Sequence, residues 1–146
     1  MTRSRLGRAI VSMLAVAVAF SLASCSSKST GKAVHPVRGK VLVGDKPAVD
    51  AFVLFIPVNE PKDPNEPRPR ATVESDGSFE LSTNGEKDGA PAGEYIVMVT
   101  WPGKVLLDGR EEPEDKLFGK YNNPARPLLK ATVREGKNDL DPFQLK

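Results

Sequence analysis

Residues 93–101, GEYIVMVTW, set the strongest limit on how this chain can fold. Tyr95, Val97, Val99 and Trp101 fall on one side, and Ile96 and Met98 on the other. That is a period of two, the repeat of a strand and not of a helix. The same period recurs down the chain. In VRGKVLVGD, Val37, Gly39, Val41 and Val43 share a side, while Arg38 and Lys40 point away with Leu42. VDAFVLFIPV, residues 49–58, is apolar on both sides, as expected of a central strand or one that covers two surfaces. ATVES, DGSFEL, PLLKATVRE and LDPFQLK complete a set of seven expected strands. Gly44-Asp45-Lys46-Pro47, Asp76-Gly77 and Glu135-Gly136-Lys137-Asn138 supply turn chemistry between them.

No stretch carries a convincing amphipathic helical pattern. The expectation is an all-β domain, a seven-stranded antiparallel β-sandwich. Its core would draw on Val41, Val43, Val53, Phe55, Val73, Phe79, Leu81, Tyr95, Val97, Val99, Val133 and Phe143. Pro142 marks the last strand as an edge. Two segments do not read as strands. Pro57 to Pro69 carries prolines at 61, 64 and 67, a spacing that favours polyproline II. Pro102 to Pro127 reads as a long connection, and its acidic run Glu111 to Asp115 reads as solvated loop.

The N-terminus belongs to a different kind of sequence. Arg3, Arg5 and Arg8 precede an apolar run, Ala9 to Phe20, broken only by Ser12. About a dozen residues is short of the roughly 20 that span a bilayer. A charged start, a short apolar middle and small residues at the end are the marks of an export signal. Leu22-Ala23-Ser24-Cys25 then resembles the bacterial lipobox. The resemblance implies cleavage before Cys25 and acylation of that residue with diacylglycerol and a further chain such as palmitate. Several acyl chains on one residue make a lasting anchor, since each buried CH₂ contributes about 0.8 kcal/mol. It also explains why the chain holds a single cysteine, which cannot form an internal disulfide.

On this reading residues 1–24 are a signal peptide. Residues 25–33 are a lipidated cysteine and tether with a reach of roughly 16 Å, and residues 34–146 are the domain. Three of the 21 basic residues lie in the signal, which leaves 18 against 19 acids and a mature net charge of −1. Charges of both signs are interspersed, so no footprint for nucleic acid is present. The membrane is the partner implied by Cys25. The expected location is the cell envelope, on a membrane and facing outside the cytoplasm. The outer membrane or periplasmic face is favoured because Ser26 is not the aspartate that retains some lipoproteins in the inner membrane.

DGSFEL (76–81), PAGEYIVMVT (91–100) and the opening VRGKVLVGDKPAVDAFVLF together resemble the transthyretin-like, carboxypeptidase-regulatory-like β-sandwich domains. These share the immunoglobulin-like sandwich architecture. The resemblance covers roughly residues 36–146. GKYNNPARPLLKATVREGKN looks like the closing stretch of small bacterial lipoproteins built on this one domain. Fold of this kind does not fix function, and the resemblance implies accessory, adhesive or stabilising roles.

Catalysis would need convergent reactive groups. The chain has one histidine, His35, expected to be solvated before Pro36. A related enzymatic branch hydrolyses 5-hydroxyisourate with several histidines and a Tyr-Arg-Gly-Ser ending. This chain ends Phe143-Gln144-Leu145-Lys146, so no enzyme activity is expected. Asp45, Asp76, Asp88 and Asp108 sit at turns without a calcium-loop spacing, and no metal or other cofactor is expected. Binding remains. Trp101, Phe118 and Tyr121, with Asn122, Asn123 and Arg126, are the candidates for a ligand or partner surface in and beside the 102–127 segment; the alternative is that the three rings pack that segment onto the sandwich. The expected function is a lipid-anchored, non-catalytic structural or adhesive module that binds envelope proteins. The alternative is a carbohydrate-binding module whose rings stack on a polysaccharide.

Overall fold

The longest alternating run forms the longest strand. In the computed structural model, which describes residues 32–59, 67–107 and 109–146, β8 (Gly93–Thr100) buries Tyr95, Val97 and Val99 and leaves Ile96 and Met98 half-covered. It pairs antiparallel with β4 (Phe52–Pro57) on one side and β11 (Leu129–Val133) on the other. β5 (Arg70–Thr72) adds to β4 and completes a four-stranded sheet in the order β11-β8-β4-β5.

The second sheet is built around β2 (Val37–Val43). One edge of β2 receives β3 (Lys46–Pro47) and β6 (Ser78–Glu80), both antiparallel. Its other edge receives β12 (Asn138–Asp139) and β13 (Phe143–Leu145), both parallel. The expectation of a purely antiparallel, seven-stranded arrangement therefore does not hold. Shorter elements replace several of the expected runs, and the C-terminal residues run alongside β2 in the same direction. The parallel ladder slips by one residue between Asp139↔Arg38 and Phe143↔Val41. Pro142, which has no N–H to give, lies in that slip. Among the described residues the run has β2 as its only strand partner, so the edge expected from Pro142 is present there.

Two small ribbons complete the described strands. β1 (Val34–His35) pairs with β7 (Ala90–Pro91), and β9 (Pro102–Leu107) pairs with β10 (Arg110–Asp115). The second ribbon corrects the reading of 102–127 as a connection without strands. Leu107 and Arg110 are paired, and Gly109 turns between them at φ 79°. The acidic run lies in β10.

Buried side chains of both large sheets meet in one cluster. Phe55 of β4 and Phe79 of β6 touch edge to face at 6.4 Å, and Tyr95 tilts against Phe55 at 5.5 Å. Ten of the twelve expected core residues are fully buried, and Val43 and Phe143 pack at the margin. At the C-terminus it is Leu145 that enters the core, while Phe143 stacks on the Phe79 ring at 6.1 Å. Burying a side chain of this size stabilises by about 1.5–3 kcal/mol. Cys25, the expected signal and most of the tether lie outside the described residues, as do residues 60–66 of the proline-rich segment.

Candidate interaction surface

The β9–β10 ribbon returns the chain to the end of β8, and one carboxylate fastens the return. Asp115 Oδ1 accepts the N–H of Trp101 at 2.8 Å and of Leu117 at 3.0 Å. Its Oδ2 accepts the N–H of Gly119 at 3.0 Å, and its carbonyl accepts that of Phe118 at 2.9 Å. Lys116 N–H donates to the Trp101 carbonyl at 2.8 Å. The tight turn that results drives Leu117 and Tyr121 into the core.

Phe118 has the opposite fate. It takes φ 53°, a left-handed conformation that costs a bulky residue energy. Its side chain is 77% exposed. Beside it runs a groove of about 320 Å³ lined by Phe118, Gly119, Lys120, Asn123, Arg126 and Leu128. Leu128 is 57% exposed. The groove thus joins two open apolar side chains to two cations.

Of the six residues expected to form a surface here, three line the groove: Phe118, Asn123 and Arg126. Asn123 also shapes the turn, its Oδ1 accepting the Ala125 N–H at 3.0 Å and its carbonyl that of Arg126 at 3.1 Å. Asn122 is exposed but is not among the lining residues. Trp101 and Tyr121 have other tasks. Trp101 Nε1 donates to the Val49 carbonyl at 2.9 Å, and Lys116 Nζ stands 4.6 Å above its ring. The Lys116 stem crosses Gly103, where a Cβ would collide with it. Tyr121 is buried, and its hydroxyl accepts the Lys146 N–H at 3.0 Å. Lys120 reaches the same end of the chain, donating to the main-chain oxygen of Lys146 at 3.1 Å. Asp115, Lys120 and Leu128 were not foreseen. Nothing in the sequence singles out their roles; Asp108-Gly109 signals only the hairpin that leads to Asp115, since Asp-Gly between pairable runs is a turn.

Two of the turn aspartates, Asp88 and Asp76, serve the backbone. Asp88 takes the N–H groups of Thr83, Asn84 and Gly85 at 2.7–3.0 Å. Asp76 takes both the hydroxyl and the N–H of Ser78, at 2.6 and 2.9 Å. The Ser78 hydroxyl, then its N–H, and more weakly Lys40, hold the Asp76 carboxyl below its usual range. Among the described residues no three His, Cys, Asp or Glu side chains gather where they could share a metal ion. His35 is not simply solvated: it sits in β1, half-covered, and its Nδ1 accepts the Gly136 N–H at 3.1 Å.

No family model and no curated protein matches this chain. Among solved structures, a 9R-lipoxygenase from Cyanothece is similar over 77% of this chain, at 15% identity and a TM-score of 0.39. The similar region is 16% of the lipoxygenase chain. A likeness that slight carries nothing about activity.

Proposed function

We propose that this chain is a lipid-anchored protein of the bacterial cell envelope, held by Cys25. Its transthyretin-like β-sandwich acts as a non-catalytic structural or adhesive module that binds other envelope proteins. The observation that supports the binding role is Phe118, turned outward at a strained φ on a turn pinned by Asp115, beside Leu128, Lys120 and Arg126. An exposed ring next to an aliphatic side chain and an arginine has the make-up of a protein-interface anchor. Strain of this kind gathers at functional sites. A sugar-stacking platform is less well served, because the indole of Trp101 is capped by Lys116 and the ring of Tyr121 is buried.

The anchor is tested by intact mass and membrane partition of the full chain against Cys25→Ser. A wild type that begins at Cys25, carries acyl mass and sediments with membrane, when the variant does not, supports it. An unmodified, soluble wild type overturns it. The binding role is tested by a photo-crosslinker at position 118 in the envelope. A protein adduct lost on Arg126→Glu supports it. Binding to a polysaccharide array that is lost on Phe118→Ala, with no protein adduct, replaces it with the carbohydrate reading.

A further inference from the structure

The four-stranded sheet has two faces, and only the inner one is buried. The outer one carries an apolar strip along β4 and β8, bordered by Thr72, Thr100, Thr132 and Glu94. β4 presents Phe52, Leu54 and Ile56 outward, in alternation with buried Val53 and Phe55. β8 presents Ile96 and Met98. Cross-strand pairing sets Leu54 opposite Met98 and Ile56 opposite Ile96. Carrying the β11 register back one residue from Leu129↔Val97 brings Leu128 beside Met98. Phe52 is 40% exposed, and Val58, the next outward position after Ile56, is 45% exposed. Three of the five exposed large apolar residues among the described residues thus share this face, and Phe118 adjoins it through the groove it shares with Leu128. A contiguous apolar patch with a polar rim marks an interaction site, where scattered single residues would not.

The rim has a sign. Arg70 stands opposite Leu54 on the β5 edge, and Lys130 opposite Ile96 on the β11 edge. Both are exposed, and among the described residues neither is in an ion pair. The apolar stripe is two strands wide at the Leu54–Met98 and Ile56–Ile96 rows, about 10 Å at 4.8 Å per strand, with a cation on each flank, and it narrows to β4 alone at Phe52, which faces Thr100. From Phe52 to Val58 it runs about 20 Å. An α-helix is about 10 Å across and covers 20 Å in about thirteen residues.

We propose that this face docks an acidic amphipathic helix of a partner protein. The helix would be three to four turns long, laid along β4 and β8, with carboxylates meeting Arg70 on one side and Lys130 on the other. Other occupants fit less well. A second copy would bring one cationic rim against another. The chain's own apolar run, residues 9–20, is led by Arg3, Arg5 and Arg8. A bilayer favours protruding side chains. Leu54, Ile56, Ile96 and Met98 are instead half-covered between the longer Arg70 and Lys130, and Glu94 closes one end of the stripe. The proposal deepens the protein-binding reading on a face that meets the Phe118 groove only at Leu128, and its test reads Ile56, Ile96 and Met98, so its failure is distinguishable from failure of the anchor and groove tests.

The test uses the full chain, with methyl groups labelled for NMR. The probe is a synthetic helical peptide of fourteen residues with a leucine stripe flanked on both sides by glutamates. A matched peptide has lysine flanks. The expected result is movement of the Ile56, Ile96 and Met98 methyls with the glutamate peptide. Binding should fall at least tenfold with lysine flanks. It should also fall at least tenfold for the Arg70→Glu/Lys130→Glu protein, which should now prefer the lysine peptide. Unshifted Val53 and Val99 methyls confirm that the variant is folded. Equal binding of both peptides, no binding, or shifts confined to other residues overturns the proposal. So does movement of the same methyls with phosphatidylglycerol vesicles alone, which gives the face to lipid. Movement with protein concentration alone gives it to a second copy.

Discussion

Gly39 of β2 lies directly under the ring of Phe79 in β6, so close that a Cβ on Gly39 would stand 2.5 Å from Phe79 Cζ. No side chain fits there, and the neighbour that would have to yield is a fully buried ring, itself packed against Phe55 and Phe143. Gly39→Ala should therefore destabilise by about 1–3 kcal/mol through overpacking. Shortening the neighbour in Gly39→Ala/Phe79→Leu should recover part of the Gly39→Ala cost. Urea unfolding of the four proteins of the cycle reads the coupling, and strict additivity would contradict the contact.

Asp115 fastens the turn that presents Phe118. Asp115→Ala should lose about 2 kcal/mol, since bonds to an ionised acceptor are stronger than neutral ones. It should also speed amide exchange at Leu117 and Gly119. Asp115→Asn keeps one oxygen as acceptor, so it should protect Leu117 and release Gly119. Equal exchange at the two amides in Asp115→Asn would argue against the bifurcated arrangement seen here.

Asn138 is the one buried polar side chain among the described residues. Its Oδ1 accepts the Arg134 N–H at 2.8 Å, and its Nδ2 donates to the carbonyls of Arg134 and Gly136 at 2.8 and 3.0 Å. Asn138→Ala should cost about 1–3 kcal/mol, because it strands groups that burial has taken from water. A lower urea midpoint at unchanged slope is the expected signature.

Asp76 gives a pH dependence of known sign. Its folded pKa is depressed, chiefly by the Ser78 hydroxyl. The stability it adds is in place above the unfolded carboxylate's value near 4 and fades as pH falls through the lower folded value. Ser78→Ala should move the Asp76 midpoint upward in a carbon-detected NMR titration. An unmoved midpoint would falsify the assignment of cause.

Much of the fold could be read from the sequence because one interaction dominated. Where a strand buries one face, alternation and burial coincide, as in Val53-Phe55 and Tyr95-Val97-Val99. Direction was harder to read. Nothing local in LDPFQLK says whether it runs with or against β2, and parallel pairing there depends on residues a hundred positions away. The ribbon at 102–115 was missed because PGKVLL and REEPED show no alternation of apolar and polar residues, and its pairing is local, signalled by Asp108-Gly109 alone. The candidate surface was half legible. Aromatic identity pointed to Trp101, Phe118 and Tyr121 alike, yet only the backbone conformation at Phe118 decides which ring faces out. The role of Asp115 left no mark in its acidic surroundings.

The parallel ladder of β2 with β12 and β13 also sets an order of events. One edge of β2 stays unclaimed until Asn138 to Leu145 have been synthesised, so the second sheet is among the last parts to close. Contacts so distant in sequence form slowly. Until those residues have been made, the second sheet of a nascent chain lacks one of its edges.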